Sequence, residues 1–216
     1  MAADGTIYYG NAVTSSIKDS LYEKIATGSA ELKTLAVDML NYGAAAQIYF
    51  GYNTENLVNA DLTEEQKALG TQVMPEAVDN SSIAGDGSRV TTSVSLQSKV
   101  LLYINCTYTS NENSNLMFVI KDLEGKVLEE FAPSMINARV CQGVYGNVGA
   151  KQMRDLVTIE LQDNGVTVSK IVTWNIESYV AQTRANASET AAKLNAVNAM
   201  LIYGDSAAVY LKSTGQ

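Results

Sequence analysis

Leu40-Asn41-Tyr42-Gly43-Ala44-Ala45-Ala46-Gln47-Ile48-Tyr49-Phe50 returns near the end of the chain as Leu201-Ile202-Tyr203-Gly204-Asp205-Ser206-Ala207-Ala208-Val209-Tyr210-Leu211. In register, Met39, Leu40, Tyr42, Gly43, Ala46 and Tyr49 are matched by Met200, Leu201, Tyr203, Gly204, Ala207 and Tyr210. Apolar and small residues recur in both stretches at three- and four-residue spacing, the period of a helix with one buried face. A repeated helix that brackets an unrelated middle predicts that the two ends pack on each other. Gly43 and Ala46, like Gly204 and Ala207, leave a shallow patch where another helix can approach closely. The spacing predicts that the two helices meet there, around an approximate twofold axis. The alternative is that the small residues make room for an aromatic side chain from the sheet.

Working outward, Ser15 or Ser16 caps a helix reaching about Ala26 and stopped by Gly28, and Ser29 caps the longer helix that ends at Gly51. Thr63-Glu64-Glu65-Gln66 is a capping box for a short helix ending near Gly70. Residues 75–87 have turn composition and read as a linker. From Arg89 the period changes to alternation. Strands are predicted over 90–96, 100–107, 116–121, 126–131, 135–144, 156–161 and 166–173, with Gln162-Asp163-Asn164-Gly165 as the strongest hairpin signal. Asn175 caps the return to helix. The predicted class is therefore α+β: two pseudo-repeated helical hairpins packed together, with an antiparallel β-sandwich or barrel-like domain inserted between them. In residue terms, 1–74 and 175–216 form one helical subdomain and 88–174 the β domain.

The 216 residues carry a net charge of −8, which opposes binding of a polyanion, so nucleic acid is not an expected partner. No apolar run is long enough to span a bilayer, and no membrane insertion is expected. The opening residues lack the features of a secretory leader, and the chain reads as an excised segment of a larger protein. Histidine is absent, which removes the commonest general base and transition-metal ligand together. The chain is thus expected to be no enzyme and to hold no cofactor or metal. Cys106 and Cys141 lie in strand patterns where a buried free thiol is expected, a bridge between strands being the alternative.

Tyrosine dominates the aromatics, with 12 Tyr against 3 Phe and 1 Trp. A ring with a polar tip suits sugar stacking and protein interfaces alike. Tyr42, Tyr49, Tyr203 and Tyr210 ride the helical repeat and are expected to be partly buried. Tyr8, Tyr9, Tyr52, Tyr108 and Tyr145 fall in loops or ends and form the candidate binding set. Trp174, at the junction of the last strand and the second hairpin, reads as a packing residue.

The pattern Ser16-Ile17-Lys18-Asp19, then 38–50, then Tyr52-Asn53-Thr54-Glu55-Asn56-Leu57-Val58-Asn59, resembles a module of large secreted and cell-surface proteins of gut-dwelling Firmicutes. The likeness extends over nearly the whole chain. It implies an extracellular or cell-surface location in a Gram-positive bacterium, neighbouring domains within a larger protein, and no catalytic residues. Two functions follow as expectations. The first is a non-catalytic binding module for a host protein, such as immunoglobulin or mucin, or for a glycan. The alternative is a structural spacer with no ligand of its own.

Overall fold

A computed structural model describes residues 16–52, 54–97 and 99–215. Helix α1 (Ile17–Thr27) starts at Ser16, whose hydroxyl accepts from the Asp19 amide while Asp19 reaches back to the cap. Helix α2 (Ala30–Phe50) is capped by Ser29 and ends at Gly51, whose φ of 68° is the left-handed closure that glycine adopts freely. The capping box at Thr63 forms, but α3 (Glu64–Lys67) is a single turn and stops short of the predicted Gly70.

The β region comprises β1 (Ser82–Ala84), β2 (Val90–Leu96), β3 (Val100–Thr107), β4 (Leu116–Asp122), β5 (Val127–Phe131), β6 (Ser134–Asn137), β7 (Val140–Tyr145), β8 (Val157–Asp163), β9 (Val166–Thr167) and β10 (Ile171–Trp174). They form two antiparallel sheets. One runs β1-β10-β8-β4-β5 with β9 beside β8, the other β2-β3-β7-β6. Leu102, Ile104 and Cys141 of the second sheet share a core with Phe118, Ile159 and Leu161 of the first, so the sheets face each other. The barrel-like closure is not formed, because each sheet ends in strands paired on one side only. Helices α4 (Ile176–Ala185) and α5 (Ala191–Ser213) complete the chain, and α2 and α5 make the most extensive contact between helices.

The meeting of α2 and α5 follows the expectation, but not through the predicted glycines. A Cβ on Gly43 would meet Val58 of the following loop at 2.9 Å, and one on Gly204 would meet Met153 Sδ at 2.5 Å and the Ala150 carbonyl at 3.1 Å. Each glycine therefore admits a neighbouring loop or turn, and neither sits at the crossing. Ala207 is buried beside an apolar hollow that Ala36 and Met39 also line, and Ala46 is only half-buried. What joins the helices is a stack of Tyr42 on Tyr203, with ring centroids 5.8 Å apart, and the buried Asp38 carboxylate, which accepts from Ser206 on α5. Asp38 also accepts from the Thr71 amide at 2.9 Å and its hydroxyl at 2.7 Å.

The predicted linker is an integrated part of the fold. Glu177 accepts from the Val78 amide and Ser178 Oγ from the Asn80 amide, after which β1 pairs with β10. Arg154 closes the junction: it grips Asp205 with two hydrogen bonds of 2.7 and 2.9 Å, pairs with Glu177, and donates to the Glu76 carbonyl. Its pKa is raised, first by the hydrogen bond to Asp205.

Candidate functional site

The five candidate tyrosines separate into different environments. Tyr8 and Tyr9 lie outside the described residues. Tyr52 is 66% exposed, with its ring beside that of Phe50. Tyr108 is half-buried, and its hydroxyl donates to Asp163 at 2.7 Å. Tyr145 is only 4% exposed, which overturns its assignment to an exposed loop: it ends β7 with its ring in the core. Alternation places it there, because Cys141, Gly143 and Tyr145 face inward while Val144 faces out. Trp174 is buried at the strand-to-helix junction, edge-on to Tyr145 with centroids 6.4 Å apart.

Asp163 ties the 108–115 loop to the end of β8 through Tyr108, the Ser114 hydroxyl and the Asn115 amide. The Tyr108 hydrogen bond, followed by those from Ser114 and Asn115, holds this carboxyl below its ordinary value. A depressed carboxylate pKa contributes stability that is complete above the unfolded value of about 3.9 and is lost as pH falls through the lower folded value. The Ser114 and Asn115 amide signals are therefore expected to hold native shifts from about pH 6 to about pH 4 and to move only below that range. An NMR titration checks this.

Cys106 and Cys141 stand opposite each other on β3 and β7, fully buried and unbridged, with the Cys141 thiol donating to the Cys106 carbonyl at 3.6 Å. The hydrogen bond to Cys141, and then burial, push the Cys106 thiol up. A thiol in that state is a poor nucleophile. Among the described residues, no group of three or more His, Cys, Asp or Glu is placed to hold a metal ion. No helix among them is long and apolar enough to cross a membrane.

Two cavities flank Trp174. The larger, about 410 Å³, opens between β1, β2 and α4. Its apolar floor includes Leu102, Val172 and Tyr179, and its rim is uncharged, with Ser82, Thr92, Ser93 and Gln182. The smaller, about 200 Å³, lies between β5 and the 146–156 loop, where Leu128, Val148, Leu156 and Tyr145 accompany the carboxylates of Asp122 and Asp155. Burial and then the Glu129 and Asp155 carboxylates raise the Tyr145 pKa, and Asp122 and Asp155 make the lining of this cavity acidic.

Beside the smaller cavity runs the side of the sandwich bordered by β5 and β6. Beyond their ladders to β4 and β7, these strands pair with nothing else among the described residues. They and the β4–β5 turn expose Leu123 (63%), Val127 (45%), Leu128 (47%), Met135 (48%) and Ile136 (56%). The sequence carried a signal for this. Successive strand residues point to opposite faces, so the doublets Val127-Leu128 and Met135-Ile136 cannot both turn inward from one strand. Glu129 and Glu130 follow on β5, and a bulge interrupts its pairing with β4. Both features discourage indiscriminate edge pairing, and a second copy of β5 would set glutamate near glutamate.

Compared with protein-family models, with curated proteins and with solved structures, the chain matches none.

Proposed function

We propose that the chain is a non-catalytic extracellular recognition module of a gut-bacterial surface or secreted protein, and that it takes an extended segment of a host protein along the β5–β6 side. The exposed aliphatic residues on two neighbouring free edges carry this reading. A free edge offers backbone hydrogen bonds for affinity, and alternate side-chain positions offer selectivity. Exposed apolar groups gathered in one region are also a common mark of an interaction surface. The resemblance of the 38–59 pattern to modules of secreted Firmicute proteins supports the location.

The uncharged cleft supports a second reading, a glycan ligand, because hydroxyl and amide groups over an apolar floor suit a neutral polyhydroxylated molecule. One screen separates the two. The wild type, a Leu128→Asp/Ile136→Asp edge variant and a Ser93→Arg cleft variant are tested against human secreted proteins, including immunoglobulins and mucins, and against glycans. The expected result is a protein target whose affinity falls by about tenfold or more in the edge variant and is unchanged in the cleft variant. A glycan lost only in the cleft variant moves the function to the cleft, and silence throughout favours a spacer.

A further inference from the structure

We propose that the cavity between β5 and the 146–156 loop receives the cationic side chain, lysine or arginine, of the segment paired along β5. This deepens the edge-recognition reading and rests on it. At about 200 Å³ the cavity is smaller than the roughly 300 to 1,000 Å³ usual for a whole small-molecule ligand, and is sized for one side chain. Leu128 belongs both to the edge strand and to the cavity wall, which places the cavity beside β5.

Three observations favour a cation there. First, Asp155 is exposed at the cavity, and its carboxylate has no hydrogen-bond or ion-pair partner among the described residues. Asp122 adds a second negative charge while its Oδ1 accepts from the Glu124 and Lys126 amides, and Glu129 adds a third nearby. Second, Tyr145 is 96% buried, the complement of its 4% exposure, yet its hydroxyl has no partner among the described residues. The Arg184 Nη2 is the one unpartnered side-chain polar atom among them that is sealed from solvent, so the Tyr145 hydroxyl is not sealed, and Tyr145 lines this cavity. Third, two aromatic residues, Tyr145 and Trp174, are among the lining, and aromatic rings attract cations at their faces.

Among the described residues, no basic side chain lines this cavity. Arg154, next to Asp155, is committed to Asp205 and Glu177. Lys151 borders the hollow between α2 and α5, and Lys121 is paired with Glu160. Lys126 is in the β4–β5 turn and does not line the cavity. The site therefore presents net negative charge beside aromatic and aliphatic walls, the chemistry that recognises an alkyl-ammonium or guanidinium group.

Trp174 is the only tryptophan, so its fluorescence reports on the cavity directly. The probes are acetyl-Val-Lys-Val-Lys-Val-amide, its glutamine counterpart, and a lysine peptide N-methylated at alternate amides so that it cannot pair with an edge strand. The lysine peptide is expected to change Trp174 emission saturably and to bind about tenfold tighter than the glutamine peptide. Asp155→Asn is expected to erase that preference, and Tyr145→Phe to weaken it while thermal unfolding stays near wild type. Equal binding of the lysine and glutamine peptides, or unchanged lysine binding in Asp155→Asn, overturns the cation pocket and leaves edge pairing standing. Equal binding of the parent and N-methylated lysine peptides overturns edge pairing, and with it the placement of the bound segment along β5, while a preference for lysine over glutamine would leave only a cation-binding cavity. Absence of any signal from the lysine peptide and from acetyl-lysine methylamide up to about 10 mM, above the affinity range of weak specific sites, overturns the proposal.

Discussion

Phe118→Ala is expected to lower the free energy of unfolding by about 3 to 5 kcal/mol, a large loss for one side chain. Phe118 is 1% exposed on β4 and packs against Phe131 with ring centroids 5.8 Å apart. Its ring also fills the space above Gly143 on the opposite sheet, where a Cβ would lie 2.6 Å from the ring. Truncation therefore leaves a void between two sheets whose backbones cannot both move in. The converse change, Gly143→Ala, forces the ring aside and is expected to cost about 1 to 3 kcal/mol. Because the two changes act on one volume, Gly143→Ala combined with Phe118→Leu should cost less than the sum of the single variants. Urea unfolding of the wild type, Phe118→Leu, Gly143→Ala and their combination measures this, and strict additivity would refute the shared-volume account.

The second large effect is expected at Asp38. Asp38→Ala removes the acceptor shared by Ser206 of α5 and by the amide and hydroxyl of Thr71. Hydrogen bonds to a charged acceptor are worth about 1.5 to 3 kcal/mol each. Thr71 is exposed and regains water when Asp38 is lost, whereas Ser206, at 6% exposure, stays buried and keeps only its hydrogen bond to the Ile202 carbonyl within α5 at 3.1 Å. The expected net loss is about 3 kcal/mol. Ser206→Ala leaves Asp38 with both Thr71 donors, so a loss of about 1 kcal/mol is expected there. Adding Ser206→Ala to Asp38→Ala should then change little. A drop in the double variant equal to the sum of the singles would show that the two residues act separately.

Much of the helical frame was legible because local chemistry specifies it. Ser16 with Asp19, Ser29, and Thr63 with Gln66 cap helices where expected, and Asn164-Gly165 makes its turn with φ values of 50° and 80°. The recurring pattern was expected to bring the two ends of the chain together, and α2 does pack on α5. What it missed was the means, because periodicity names a buried face but not its neighbour: Gly43 and Gly204 face Val58 and Met153, while tyrosines and a buried aspartate make the crossing. The single strand expected over 135–144 is a hairpin whose turn, Ala138-Arg139, contains no glycine or proline. It is held by the Asn137 side chain, which accepts from the Arg139 amide at 2.8 Å. Likewise, the strand expected over 166–173 breaks at Ser169, whose buried hydroxyl takes the Leu161 amide in place of a ladder carbonyl. Such side-chain substitutes for backbone pairing leave little trace in composition.

The candidate site was the least legible part. Tyrosine content drew attention to residues that the fold scatters, since rings are placed by the packing of distant strands. Tyr145 proved relevant as the wall of a cavity and not as an exposed platform. The acidic character around it arises from Asp122, Glu129 and Asp155, which are up to 33 positions apart in the chain and meet only through the sheet and the 146–156 loop.

The packing of α2 on α5, with the β sheets looped out between them, also determines how the molecule carries tension. A pull between residues 16 and 215 loads the interface of α2 and α5 before it reaches any strand, because the β segment is slack while that interface holds. The Asp38–Ser206 clasp and the Tyr42–Tyr203 stack are then the elements under strain. The β5–β6 edge keeps its shape in a chain that is being stretched.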